Sequence, residues 1–130
     1  INAPNRNILD IKPKILIIDD NDLTLKLIRF ILEKNNFEIV IAKDGIEAIK
    51  KFDQTKPDLV LVDILLPFKS GLEVAHHIKS VSSQTPVVVL SALGDEESTV
   101  EKAFEFEVDD FISKPFSPNE LLLRVKRLLK

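Results

Sequence analysis

Asp19 and Asp20 stand side by side at the end of a short β-branched run, Asp63 and Ser91 follow two further runs of that kind, and Lys114-Pro115 follows a fourth. Three carboxylates from two of these runs, brought into one small volume, would repel one another and rise in pKa unless a cation neutralised them. Oxygen donors with no His or Cys among them favour a hard ion, and octahedral Mg²⁺, which keeps several of its waters, suits an open acidic cluster. The Ser91 hydroxyl and the Lys114 ammonium would then remain at the rim, able to hold the equatorial oxygens of a phosphoryl group in transfer. A carboxylate left free to attack would be a nucleophile forming an acyl phosphate. Taken one at a time these residues have plain structural uses: an Asp-Asp pair caps a helix, a lone Asp closes a turn, a Ser caps. Their joint placement after apolar runs is what points to chemistry.

Those runs alternate with helical patterns. Lys14-Ile15-Leu16-Ile17-Ile18 is continuous and β-branched, as expected of a strand covered on both faces, and Asp19-Asp20-Asn21-Asp22 ends it with turn and N-cap residues. Leu23 to Lys34 has helical spacing, with Leu27, Ile28, Ile31 and Leu32 on one side, and Asn35-Asn36 closes it. Phe37 to Ala42 predicts a second strand and Asp44 to Asp53 a helix. Asp58 to Val62 predicts a third strand, followed by a loop from Asp63 to Ser70 and a helix from Gly71 to Ser80. Pro86 to Leu90 predicts a fourth strand, roughly Asp95 to Phe106 a helix, and Phe111 to Ser113 a short fifth strand. Ser117-Pro118-Asn119-Glu120 opens the last helix, with Ser117 as N-cap, Pro118 at the first helical position and Glu120 completing a capping box. Its apolar stripe is Leu121, Leu122, Val125, Leu128 and Leu129. Five strands alternating with five helices predict a doubly wound α/β fold around a parallel sheet, in which ligands bind outside the carboxyl ends of the strands. Residues 1–12, rich in Asn and Pro and without periodicity, read as a tail or linker, which leaves 13–130 as the folded domain.

Composition narrows the function classes. An apolar fraction of 45% excludes a disordered chain, and no apolar run approaches the ~20 residues of a membrane span. The absence of cysteine removes any disulfide framework or thiolate metal site, and suits a reducing, cytoplasmic compartment. A net charge of −3 gives no electrostatic footprint for nucleic acid. Only three glycines occur, and neither of the common nucleotide-cradling loops is present. The chain opens on Ile1 and contains no methionine, which reads as a piece of a longer protein.

Ile17-Ile18-Asp19-Asp20, the run Val62-Asp63-Ile64-Leu65-Leu66-Pro67 with Gly71 beyond, Ser91-Ala92, and Asp109-Asp110-Phe111 before Lys114-Pro115-Phe116 together resemble the receiver domain of response regulators in two-component signalling and phosphorelays. The resemblance extends from Lys14 to Lys130. It implies a flavodoxin-like (βα)5 fold with strand order 2-1-3-4-5, a Mg²⁺ cofactor with Mn²⁺ as a substitute, and a phosphoacceptor aspartate that by position is Asp63. By the same resemblance Asp20, Asp63 and the Leu65 carbonyl would ligate the metal directly, and Asp19 through a bound water. Lys114 would contact the phosphoryl oxygens, Pro115 would follow a cis peptide bond, and Ser91 and Phe111 would be the coupled switch pair. The phosphodonor would be a histidine kinase or a histidine phosphotransfer protein. Phosphorylation adds roughly one to two negative charges and three strong acceptors beside Ser91 and Lys114. A hydroxyl drawn toward them leaves space for an aromatic ring, which would alter the surface built from the fourth helix, fifth strand and fifth helix.

The chain departs from the family in several places. Leu65 and Leu93 stand two residues beyond Asp63 and Ser91, where apolar groups cannot orient a hydrolytic water, so a slow autodephosphorylation is expected. Glu107-Val108 replaces the usual Gly-Ala, the segment from Ser91 to Lys114 is about one residue longer than is common, and Phe111 lacks the hydroxyl of the more usual Tyr. Asp109, Asp110, Glu120, Arg124 and Lys126 resemble charges that pair across the dimer of regulators carrying winged-helix DNA-binding domains, which implies a phosphorylation-dependent homodimer. Val100 occupies the position nearest the basic partner expected for Glu120, with Lys102 as a substitute. His76-His77, adjacent on one helix, point about 100° apart and cannot form one metal-binding face.

The expected function is therefore a switch that modifies itself rather than an enzyme that turns over a substrate. A non-cycling interaction module is the alternative. A Mg²⁺-dependent phosphatase would open its Asp-x-Asp on the first residue after the first strand, where Asp19-Asp20-Asn21 stands instead, and a flavin carrier would place a Thr/Ser/Gly-rich loop there, which is absent.

Overall fold

The computed structural model describes residues 11–92, 101 and 105–129. Five strands form one parallel sheet in the order β2-β1-β3-β4-β5: β1 (Lys14–Ile18), β2 (Glu38–Ala42), β3 (Leu59–Asp63), β4 (Val87–Ala92) and β5 (Asp110–Lys114). Among the described residues four helices connect or follow them: α1 (Asp22–Lys34), α2 (Gly45–Thr55), α3 (Gly71–Val81) and α4 (Pro118–Leu128). The sequence-predicted helix between β4 and β5 falls largely outside the described residues, as do Leu93, Val100, Lys102 and most of the tail at 1–12.

The strands are apolar on both faces because both faces are covered. Leu16, Ile18, Val60, Val62, Val87 and Val89 pack under α2 and α3 through Ala48, Phe52, Val74, Ala75 and Ile78. The alternate residues Ile15, Ile17, Leu59, Leu61, Val88, Leu90 and Ile112 pack under α1 and α4 through Leu25, Ile28, Ile31, Leu32, Leu121 and Val125. Such alternation across two layers is what a pleated strand of period two requires.

Each helix starts on a side-chain cap. Asn21, Asp44, Ser70 and Ser117 accept hydrogen bonds from the backbone N–H groups of Thr24, Glu47, Glu73 and Glu120. Glu47 also accepts from the Lys43 N–H at 2.7 Å. At α4 Ser117 and Pro118 stand where expected, but the Glu120 carboxylate lies 3.4 Å from Arg124 Nε instead of closing a capping box.

Two further expectations are corrected. The buried side of α1 runs through Leu25, Ile28, Ile31 and Leu32, whereas Leu27 is 46% exposed. Asp63, Ser91 and Lys114 are not beyond their strands but within the last rungs, because the ladder pairs Asp63 with Leu90, Ser91 with Ser113, and Ala92 with Lys114. Backbone pairing does not depend on the side chain, so a polar residue does not by itself end a strand.

Candidate functional site

All five strands point the same way, so their carboxyl ends share one edge of the sheet, and the acidic cluster lies there. The carboxylate oxygens of Asp19, Asp20 and Asp63 come within 4.8 Å of one another. Asp19 is fully buried and Asp20 is exposed. Asp19 is held by two backbone contacts: its N–H donates to the Ala42 carbonyl at 3.1 Å, and its Oδ1 accepts from the Asn21 N–H at 2.9 Å. Asp63 Oδ1 accepts from the Leu65 N–H at 3.2 Å, which places the Leu65 peptide beside the carboxylate, while the Leu65 side chain is 66% exposed.

Lys114 bridges the two less exposed acids. Its ammonium donates to Asp63 Oδ2 at 2.8 Å and to Asp19 Oδ2 at 3.0 Å. Burial pushes the Asp63 carboxyl above the ordinary carboxylate range; the Lys114 hydrogen bond and charge pull it back without cancelling the rise, and the charge of Asp19 adds to it. Burial pulls the Lys114 ammonium down, but its hydrogen bonds to Asp63 and Asp19 outweigh this and hold it above the ordinary lysine range. Three oxygen donors around an under-neutralised, partly open pocket fit a hard divalent cation and offer nothing to a soft one.

Ser91 is buried in β4, its hydroxyl donating to the Ala92 carbonyl at 3.4 Å. Phe111 is half-buried and packs against the layer containing Val87 and Val89. Val89 is its partner across the ladder, so Ser91, two residues beyond Val89, shares that face of the sheet with Phe111. The Lys114–Pro115 peptide bond is cis. Glu107, where the family has glycine, adopts a left-handed φ of 61°, and Val108 after it is buried in the same layer as Phe111.

The charges assigned to an output face are divided. Asp110 accepts from Arg124 Nη1 on both carboxylate oxygens, at 2.9 and 3.0 Å, and from Arg127 Nη2 at 3.3 Å. Glu120 lies 3.4 Å from Arg124, and Lys126 is exposed. Asp109, at the same end of β5 as Asp110, turns to the other face of the sheet, where its Oδ2 accepts from Lys79 of α3 at 2.9 Å and from the Val87 N–H at 2.8 Å. Lys79, only 8% exposed, also donates to the Ser83 and Thr85 carbonyls. Sequence reasoning missed this hub, since nothing local in α3 marks Lys79 as the partner of a residue thirty positions on. His76 is exposed and its ring lies 4.6 Å from that of Phe106.

Residues 15–126 match the family model of the response regulator receiver domain. The chain is 43% identical over 117 residues to the transcriptional regulatory protein ResD of Bacillus subtilis, covering 90% of this chain and 48% of that protein. It is 39% identical over 119 residues to the phosphate regulon transcriptional regulatory protein PhoB of Escherichia coli, covering 90% and 52%. The structure of a putative response regulator from Chloroflexus aurantiacus superposes with a TM-score of 0.86 at 30% identity, over 92% of this chain and 98% of that one. An acidic cluster beside a strand-end lysine, on a parallel sheet of order 2-1-3-4-5, is thus found in a chain that matches receiver domains. The chain belongs to the receiver domains of two-component response regulators. It spans about half the length of the two curated regulators.

Proposed function

We propose that this domain, taken as residues 13–130, accepts a phosphoryl group on Asp63 from a phosphohistidine and thereby changes the surface around β5 and α4. The observation that carries this is the Lys114 ammonium lying within 3.0 Å of both Asp63 and Asp19, beside a third carboxylate at the carboxyl edge of the sheet. Asp19, Asp20 and Asp63, with the Leu65 carbonyl, would hold Mg²⁺. When bound, the ion supplies positive charge that offsets the carboxylates and the incoming phosphoryl oxygens.

In the transfer an Asp63 oxygen attacks phosphorus, the phosphorus–nitrogen bond of the phosphohistidine breaks, and its electron pair returns to the imidazole, which takes a proton from solvent. The Leu65 N–H fixes Oδ1 of Asp63, and Lys114, already on Oδ2, is placed to follow the charge onto the phosphoryl oxygens. Ser91 supplies a hydroxyl on the same sheet edge, and the half-buried Phe111 on the same face gives its movement something to exchange with. The domain modifies its own aspartate and turns over no separate acceptor.

The donor protein would seat on the exposed apolar side of α1, where Leu23, Leu27 and Phe30 stand out. Leu27 also lines a hollow of about 390 Å³ with Thr24, Lys114, Pro115 and Phe116. A cytoplasmic location and phosphorylation-promoted pairing of two copies through β5 and α4 complete the proposal. Among the described residues no helix is long and apolar enough to cross a membrane.

Intact mass after incubation with Mg²⁺ and acetyl phosphate tests it. One added phosphoryl group, lost with EDTA and absent in Asp63→Asn, is expected. No gain in a folded wild type would refute the proposal and leave a constitutive interaction module.

A further inference from the structure

The loop from Ile64 to Ser70 joins the strand ending on Asp63 to α3, and the two helices bordering it both begin with glycine. The Gly71 N–H donates to the Ile64 carbonyl at 2.8 Å. A β-carbon at Gly71 would overlap the Asp63 carbonyl oxygen and come within 2.7 Å of its carbon and 2.8 Å of Ile64 Cα. This contact needs no further explanation, since it abuts the phosphoacceptor itself.

Gly45 presses on the same loop from the other side. Its N–H donates to the Pro67 carbonyl at 3.4 Å. A β-carbon there would overlap Lys69 Cβ and lie 2.8 Å from the Lys69 carbonyl oxygen and 3.2 Å from its carbon. No rotation of a side chain relieves this, because every atom met is backbone or a Cβ fixed to it. Between the two contacts the Lys69 N–H donates to the Pro67 carbonyl at 2.8 Å across Phe68, whose φ is 70°. That is a γ-turn of the rare, strained kind, carrying an aromatic residue in the left-handed region, and it persists only where its surroundings over-determine it.

We infer that Gly45 is a positioning residue for the phosphoacceptor: the first turn of α2 is a seat for the Pro67–Lys69 turn, and the seat sets where the Asp63 carboxylate and the Leu65 peptide stand. The loop is fixed at one end by the pairing of Asp63 with Leu90 and at the other by Gly71 against Ile64. A turn pushed off α2 by one carbon must therefore shift the short stretch between, which holds the Leu65 N–H against Asp63. The inference deepens the proposed function and rests on it for its link to phosphorylation.

Gly45→Ala in the whole chain tests it, with three readouts: folding by circular dichroism, Mg²⁺ affinity by isothermal titration calorimetry, and the initial rate of phosphorylation by acetyl phosphate. Helix propensity alone would make this substitution stabilising. Instead Mg²⁺ affinity and rate should each fall by about fivefold or more, well short of the ~100-fold that a 1 Å misplacement can cost. Adding Lys69→Gly, which removes the tightest contact, should recover most of both losses. Wild-type Mg²⁺ affinity and rate in folded Gly45→Ala would overturn the inference whatever its melting temperature. If Gly45→Ala does not fold, Gly45→Ala/Lys69→Gly should fold and bind Mg²⁺ about as Lys69→Gly alone does, and a double variant that still fails to fold, or binds Mg²⁺ fivefold or more worse than Lys69→Gly, overturns it. A wild type that binds Mg²⁺ but takes up no phosphoryl group would refute the proposed function, while the affinity comparison still decides the role of Gly45.

Discussion

Replacing Lys114 by Met keeps the length of the side chain and removes the ammonium that joins Asp19 to Asp63. At 2.8 and 3.0 Å and an effective dielectric near 20, each attraction is worth ~6 kcal/mol before the cost of desolvating the lysine is subtracted. Removing one partner of a buried pair costs ~3–5 kcal/mol, because the remaining charge stays buried and unpaired. Lys114 keeps 21% of its side chain in solvent while Asp19 keeps none, so the low end applies, about 3 kcal/mol without metal. Mg²⁺ should then favour the variant over the wild type, since the lysine no longer competes for the same carboxylates. A tenfold gain in metal affinity returns ~1.4 kcal/mol at saturating Mg²⁺. Urea unfolding followed by far-ultraviolet circular dichroism suits a chain with no Trp or Tyr, and the measurement is made in EDTA and again in excess Mg²⁺. A deficit in EDTA below ~1 kcal/mol would put the bridge among ordinary surface pairs. A deficit of the same size in both conditions would refute the idea that lysine and metal share these carboxylates.

Three further outcomes are expected. Burial raises the Asp63 carboxyl above its ordinary 3.8. Between that value and the raised one the native state binds more protons than the unfolded chain, so without metal stability falls as pH rises through this window. Asp63→Asn should remove that slope, as urea midpoints across the acid range will show. Leu65→Asn, a polar group at an exposed position beside the phosphoacceptor, should shorten the acyl-phosphate lifetime, by less than the ~100-fold at which a true general base begins, measured as decay of the phosphorylated mass. Lys79→Met strands Asp109 and two loop carbonyls, and should cost ~2–4 kcal/mol in urea unfolding while leaving the phosphorylation rate unchanged.

The parts legible in the sequence were those that a parallel sheet makes local. β1, β3 and β4 are short apolar runs because both faces are covered, and Asp19-Asp20 behind β1 mark its end, although β3 and β4 continue through Asp63 and Ser91. Since such a sheet gathers every carboxyl end on one edge, residue types at strand ends already assemble the cluster of Asp19, Asp20, Asp63 and Lys114. α1 was not legible in the same way. It carries apolar residues nearly all round, with Leu25, Ile28, Ile31 and Leu32 inward and Leu23, Leu27 and Phe30 outward, so periodicity cannot select the buried side. Nor could the pairing of Asp109 with Lys79 be read, nor the contact of Gly45 with Lys69, because each joins residues far apart in the chain that meet only once the layers have packed.

The closed set of charges on β5 and α4 constrains any pairing of two copies through that face. Asp110 already holds Arg124 by two hydrogen bonds and takes a third from Arg127, and Glu120 lies against Arg124 as well. A second copy offering the same groups would exchange one set of partners for another, with the number of ion pairs unchanged. Added salt would weaken both sides of that exchange alike, so the association constant should respond to ionic strength far less than the density of charge suggests. Affinity would then have to come from apolar area, and charge would decide the angle at which the copies meet.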